Sequence, residues 1–136
     1  MSGEVAVDLT GVWLGLYSYP RALEPVSFVA TLIETAGAIS GSSHEPLKGG
    51  SFAANTAFAS LSGSRNENTV AFVKTYDGGI PHNRAINYEG SATDDGAEIE
   101  GRWTIPGQWS GRFLMIRSAP KAEAVVRKKF ARIEGF

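Results

Sequence analysis

Two histidines are the first residues of this chain to consider for acid–base or metal chemistry. His44 and His82 both fall in segments that we interpret as loops, where they could pair as acid and base. They could also bind a metal together with Glu45 or Asp77. The spacing of these residues matches no metal-binding motif, and loop histidines are more often exposed than catalytic. The chain has no Cys, which excludes thiolate chemistry. We therefore predict no metal site and no cofactor, and we assign no catalytic residue.

Two charged residues in strand-like segments are the next candidates for chemistry. Glu34 has the same strand parity as Phe28, and Lys74 has the same parity as Phe72 and Tyr76. Each charge would point into the protein if its aromatic neighbours do, and a buried charge often marks a functional site. The opposite faces of both segments are equally apolar. The sequence therefore does not determine which face of these two strands points into the protein.

Strand-like segments separated by turn residues cover most of the chain. We predict eight strands, at residues 10–19, 26–35, 38–43, 56–64, 69–76, 84–92, 97–105 and 109–117. Gly and large aromatic residues alternate in the first strand and in the last two, which suggests that these strands meet and close a barrel. The connections are too short for parallel crossovers. The predicted fold is all-β: an eight-stranded antiparallel up-and-down (meander) barrel, about residues 9–118, in a single domain of residues 1–136.

The predicted connections differ between the two ends of such a barrel. One end receives the connections 20–25, 44–55, 77–83 and 106–108, which contain five of the prolines and both histidines. The other, plain end receives the short connections 36–37, 65–68 and 93–96. Because binding sites usually lie on loops carried by a rigid scaffold, we expect the mouth of the barrel at the first end, called here the Pro-rich end.

Aromatic residues near the Pro-rich end are the candidates for a ligand pocket. An eight-stranded barrel either fills its interior with side chains or holds one small ligand. Tyr and Trp offer a flat apolar ring together with one hydrogen-bond donor, which suits a flat apolar or aromatic ligand. The predicted ligand-binding residues are Tyr17, Tyr19, Phe28, Tyr76, Trp103 and Trp109.

The segment Leu9-Thr10-Gly11-Val12-Trp13, with Arg117 at the end of the last predicted strand, resembles the calycin-like barrels of the lipocalin and avidin types. In lipocalin-type barrels a Trp plugs the closed end and an Arg packs across it, so the resemblance implies these roles for Trp13 and Arg117. Avidin-type barrels form tetramers, so it also implies a homo-oligomer. The biotin-contacting residues of avidin do not align with this chain, and none is carried over.

The segment 121–134 has the helical spacing of an amphipathic helix with a basic face. We expect this face to be solvated, and with a net charge of −1 for the chain a nucleic-acid partner is not expected. There is no apolar run of the roughly 20 residues that a membrane-spanning helix needs, and the first residues do not resemble a signal peptide. We expect a cytoplasmic protein without a membrane partner.

Together these features predict a non-catalytic barrel that binds a small apolar or aromatic molecule at the Pro-rich end. One alternative is a structural or oligomeric interaction module whose barrel is filled. The other is an acid–base enzyme that uses His82, His44 or Glu34. The ligand, the oligomeric state and the role of the basic helix stay open at this level.

Overall fold

The computed structural model describes residues 8–20, 24–46, 56–77, 85–118 and 122–134. Eight strands are followed by one helix: β1 (Gly11–Tyr17), β2 (Val26–Thr35), β3 (Ala38–Pro46), β4 (Thr56–Asn66), β5 (Thr69–Tyr76), β6 (Ala85–Ala92), β7 (Glu98–Ile105), β8 (Trp109–Arg117) and α1 (Ala122–Glu134). Each strand pairs with the next in sequence, and β8 pairs with β1 to close the barrel. All of these pairs are antiparallel. The predicted eight-stranded meander barrel with a C-terminal helix is confirmed.

Two predicted strands, β3 and β4, end too early in the sequence. β3 continues past Ser43 and stays paired with β4 as far as Pro46, so His44 is a strand residue and its prediction as a loop residue was wrong. β4 likewise continues to Asn66, and Glu67 adopts a φ of 57° in the turn that follows. In both places the polar side chains of a strand were interpreted as a loop.

The inward side chains of β2 and β5 form much of the core. They show which face of these two strands points into the barrel, which the sequence did not determine. The buried inward residues are Phe28, Ala30 and Leu32 on β2, and Val70, Phe72 and Lys74 on β5. A glycine makes this packing possible, because a Cβ at Gly15 would lie only 2.2 Å from Cζ of Phe28. The core thus includes a fully buried lysine among aromatic rings.

The plain end of the barrel is closed by Trp13 and Arg117. Trp13 is completely buried, and the guanidinium carbon of Arg117 lies 4.7 Å from the centre of a Trp13 ring. The guanidinium also donates hydrogen bonds to the backbone carbonyls of Asp8, Thr10 and Gly96. This is the arrangement of Trp and Arg that the resemblance to calycin-like barrels implied, and it ties β8 to the segment that precedes β1.

The helix α1 packs on the outside of the barrel. Its apolar residues Val126 and Phe130 are buried against Leu16, Leu114 and Ile116 of β1 and β8, so the predicted amphipathic character is confirmed. Within the part of the chain that is described, α1 does not reach the length and apolarity of a membrane-spanning helix.

Candidate ligand-binding site

A cavity of about 400 Å³ lies in the barrel at the Pro-rich end, where β1, β5 and β7 end and β8 begins. Its walls are formed by Tyr17, Tyr19, Tyr76, Ile86, Tyr88, Trp103, Ile105, Gln108 and Trp109. Five of the six predicted ligand-binding residues are in this set. Phe28 is not: its ring lies 6.0 Å from that of Tyr17 and packs over Gly15, away from the cavity.

The aromatic wall is held in place by contacts between its own rings. Tyr19 is central to it, with ring centroids 5.7 Å from Tyr17, 5.8 Å from Trp103 and 5.5 Å from Trp109. The Trp103 indole N–H donates a hydrogen bond of 2.9 Å to the carbonyl oxygen of Ser18. Edge-to-face and tilted contacts at these distances are favourable for aromatic pairs. These contacts within the protein fix the positions of the rings, so the wall needs no contact with a ligand to form.

The position of Trp103 depends on a glycine in the neighbouring strand. A Cβ at Gly111 would lie 2.0 Å from the Ser18 carbonyl oxygen and 2.6 Å from the Trp103 indole nitrogen. Any larger residue there would displace the indole or break its hydrogen bond. Trp109, two residues earlier on β8, stands at the rim with 43% of its surface exposed.

A buried ion pair lies behind the cavity wall. The Glu45 carboxylate accepts a hydrogen bond of 2.6 Å from Lys74 Nζ through Oε1. Its other oxygen accepts from the hydroxyls of Tyr17, at 2.5 Å, and Tyr76, at 3.1 Å. Lys74 and Glu45 expose only 2% and 5% of their surface. Both carboxylate oxygens are therefore satisfied by donors from other strands, which is the condition for burying such a charge.

Aromatic rings surround the ammonium of Lys74. The nitrogen lies 5.0 Å from the ring centroid of Tyr17, 5.4 Å from Phe28, 4.9 Å from Tyr76 and 5.7 Å from Tyr88. These distances fall within the range of cation–π attraction. The ammonium is therefore enclosed by four rings and by its ion-pair partner Glu45.

Burial keeps the hydroxyls of Tyr17 and Tyr76 protonated. It raises the pKa of Tyr17 far above its ordinary value, and the negative charge of Glu45 acts in the same direction. Burial also raises the pKa of Tyr76 to about 12. These hydroxyls are hydrogen-bond donors at neutral pH, and neither can serve there as a general base.

The residues proposed for an acid–base enzyme are not brought together. His44 faces outward on β3, with its ring 6.1 Å from that of Phe58. Glu34 lies near the plain end, where its carboxylate pairs with Arg65 at 2.8 Å and accepts a hydrogen bond from the Leu9 N–H. His82 is outside the described residues. Within the described ranges, the acidic and histidine side chains form no cluster suited to a metal ion.

The role of Glu45 was not predicted from the sequence, where this residue was interpreted only as a loop residue near His44. The signal was present, because Glu45 has the parity of Ile39 and Gly41 and completes the inner face of β3. A second interior charge of opposite sign, Lys74, was available to neutralise it. Tyr88 was also absent from the predicted ligand-binding residues.

The sequence matches no protein-family model and no curated protein. The cavity and the buried network behind it are therefore the observations from which function is inferred.

Proposed function

We propose that the barrel binds a small apolar or aromatic molecule in the cavity at the Pro-rich end. The observation that carries this proposal is the cavity of about 400 Å³ walled mainly by tyrosine and tryptophan rings. Its size falls within the roughly 300–1,000 Å³ that is usual for small-molecule sites. A flat ring system of about the size of naphthalene fits this volume and chemistry.

The ring contacts suggest how such a molecule would be held. Tyr19 and Trp109 have ring centroids 5.5 Å apart at the rim, and Trp103 stands deeper and is fixed by its hydrogen bond. A planar ligand can stack on one ring and meet another edge-on, and each such contact contributes about 0.5–1.5 kcal/mol beyond the area that it buries. Ile86 and Ile105 supply apolar surface elsewhere in the cavity.

The test compares the affinities of two variants for 2-acetylnaphthalene, measured by calorimetric titration, each variant lacking one exposed aromatic side chain. Trp109 lines the cavity and is 43% exposed, whereas Phe58 lies on the outer face of β4 and is 55% exposed. We expect Trp109→Ala to weaken binding by about tenfold, because it loses an aromatic contact and buried area. Phe58→Ala should leave the affinity unchanged, and urea unfolding should show that both variants remain folded.

Two outcomes would contradict the proposal. One is that no naphthalene derivative binds the folded wild-type protein. The other is that Trp109→Ala and Phe58→Ala change the affinity equally, which would place the binding on the outer surface or make it non-specific.

A further inference from the structure

The ring of Tyr88 in the cavity wall is fixed between two other aromatic rings. It points inward from β6 and exposes only 3% of its surface. Its ring is stacked on Phe72 at 5.0 Å, with an angle of 9° between the planes, and meets Phe113 at 4.9 Å edge-on. The side chain therefore has little freedom to turn away from the cavity.

The Tyr88 hydroxyl differs from those of the two tyrosines that bind Glu45. Tyr17 and Tyr76 donate to the carboxylate, whereas the Tyr88 hydroxyl makes no hydrogen bond with any residue in the described part of the chain. Burial, and then the charge of Glu45, raise the pKa of Tyr88 well above its ordinary value, so the hydroxyl keeps its proton. Because the hydroxyl is open to the cavity and not sealed off from it, an acceptor on a ligand can take its hydrogen bond in place of water.

Among the described residues that line or back the cavity, the charges neutralise each other. The described residues of the cavity wall are all uncharged, and behind the wall the Lys74 ammonium is paired with Glu45. A charged ligand would lose its hydration on entering without meeting an opposite charge in this wall. An uncharged ligand avoids that cost.

We infer that the cavity selects uncharged planar aromatic molecules that carry a hydrogen-bond acceptor, such as a ketone, whose oxygen accepts a hydrogen bond from the Tyr88 hydroxyl. This inference rests on the proposed function and specifies its ligand class. The aromatic wall supplies affinity for the ring system, and Tyr88 distinguishes between molecules with the same rings.

Three probes that share one ring system test the inference: naphthalene, 2-acetylnaphthalene and 2-naphthoate. We expect the ketone to bind about five- to tenfold more tightly than naphthalene, the usual gain from one hydrogen bond to an otherwise unpaired group. The carboxylate, although it is also an acceptor, should bind more weakly than the ketone. Tightest binding by 2-naphthoate would overturn the preference for uncharged ligands.

Tyr88→Phe removes the hydroxyl and keeps the ring that packs on Phe72 and Phe113. In this variant the ketone should lose its five- to tenfold advantage, while the affinity for naphthalene stays the same. The control is Phe58→Ala on the outer face of β4, which is remote from the cavity lining and should leave the advantage intact. Thermal unfolding verifies that each variant is folded.

The results separate this inference from the proposed function. If naphthalene and the ketone bind equally well, or if Tyr88→Phe keeps the advantage of the ketone, the role of Tyr88 is wrong although the cavity does bind aromatic molecules. If none of the three probes binds wild-type protein, the proposed function itself fails.

Discussion

Lys74→Met tests the buried ion pair, because it keeps much of the side-chain length and removes the ammonium group. Glu45 would remain only 5% exposed, with its Oε1 deprived of the donor at 2.6 Å. Removing one partner of a buried pair costs about 3–5 kcal/mol. The hydroxyls of Tyr17 and Tyr76 still satisfy Oε2, so we expect the lower value, about 3 kcal/mol. For a chain of this size that corresponds to a fall in Tm of roughly 10 °C.

The assay is a double-mutant cycle followed by urea unfolding, with tryptophan fluorescence as the signal. Glu45→Gln alone leaves the Lys74 ammonium buried without its counter-charge, and it too should destabilise the fold. Glu45→Gln combined with Lys74→Met leaves no buried charge, so the penalty of an uncompensated buried charge is absent from the double variant. We therefore expect the double variant to be more stable than Lys74→Met by at least about 1 kcal/mol. Additive effects of the two substitutions, or a cost below about 1 kcal/mol for Lys74→Met, would refute the reasoning.

Two further predictions concern alkaline pH and the closed end. The pKa values of Tyr17, Tyr76 and Tyr88 are raised in the folded protein, so folding disfavours their ionisation. This stabilisation is complete below pH about 10, the pKa of tyrosine in the unfolded chain. The part that Tyr76 contributes is lost as the pH rises through about 12, its pKa in the folded protein. Ultraviolet absorbance at pH 11 should show far less tyrosinate in the native protein than in the guanidinium-unfolded chain, and equal absorbance would contradict the burial. Arg117→Met should cost about 2 kcal/mol in urea unfolding, because charged hydrogen bonds to backbone carbonyls are lost. The affinity for 2-acetylnaphthalene should not change, and a loss would show that the two ends of the barrel are coupled.

The fold was predictable from sequence because its determinants are local. Alternating apolar residues and the turn residues between them define eight strands, and strand order follows from the short connections. Cavity residues near strand ends, such as Tyr19 and Trp109, could be predicted from the same pattern, since a meander brings alternate connections to the same end.

Strand parity could have placed Glu45 and Lys74 in the interior, but the pairing of the two was not predictable, because it joins residues far apart in sequence. Glu45 and Lys74 are 29 residues apart. A glutamate next to a proline is typical of a loop, and only its pairing with Lys74 explains why Glu45 is buried in a strand. Tyr88 was missed for a different reason. It lies in the middle of its strand, and the depth to which a cavity extends depends on side-chain packing, which strand periodicity does not describe.

The Glu45 network also constrains how this protein can evolve. Four side chains from three strands, Tyr17, Glu45, Lys74 and Tyr76, satisfy one another, and a partly satisfied polar network is less favourable than an apolar interior. Replacement of any one of the four therefore puts the others under selection to change. Homologues should retain the four residues as a set or replace them as a set, which gives a pattern of co-variation by which distant members of this lineage can be identified.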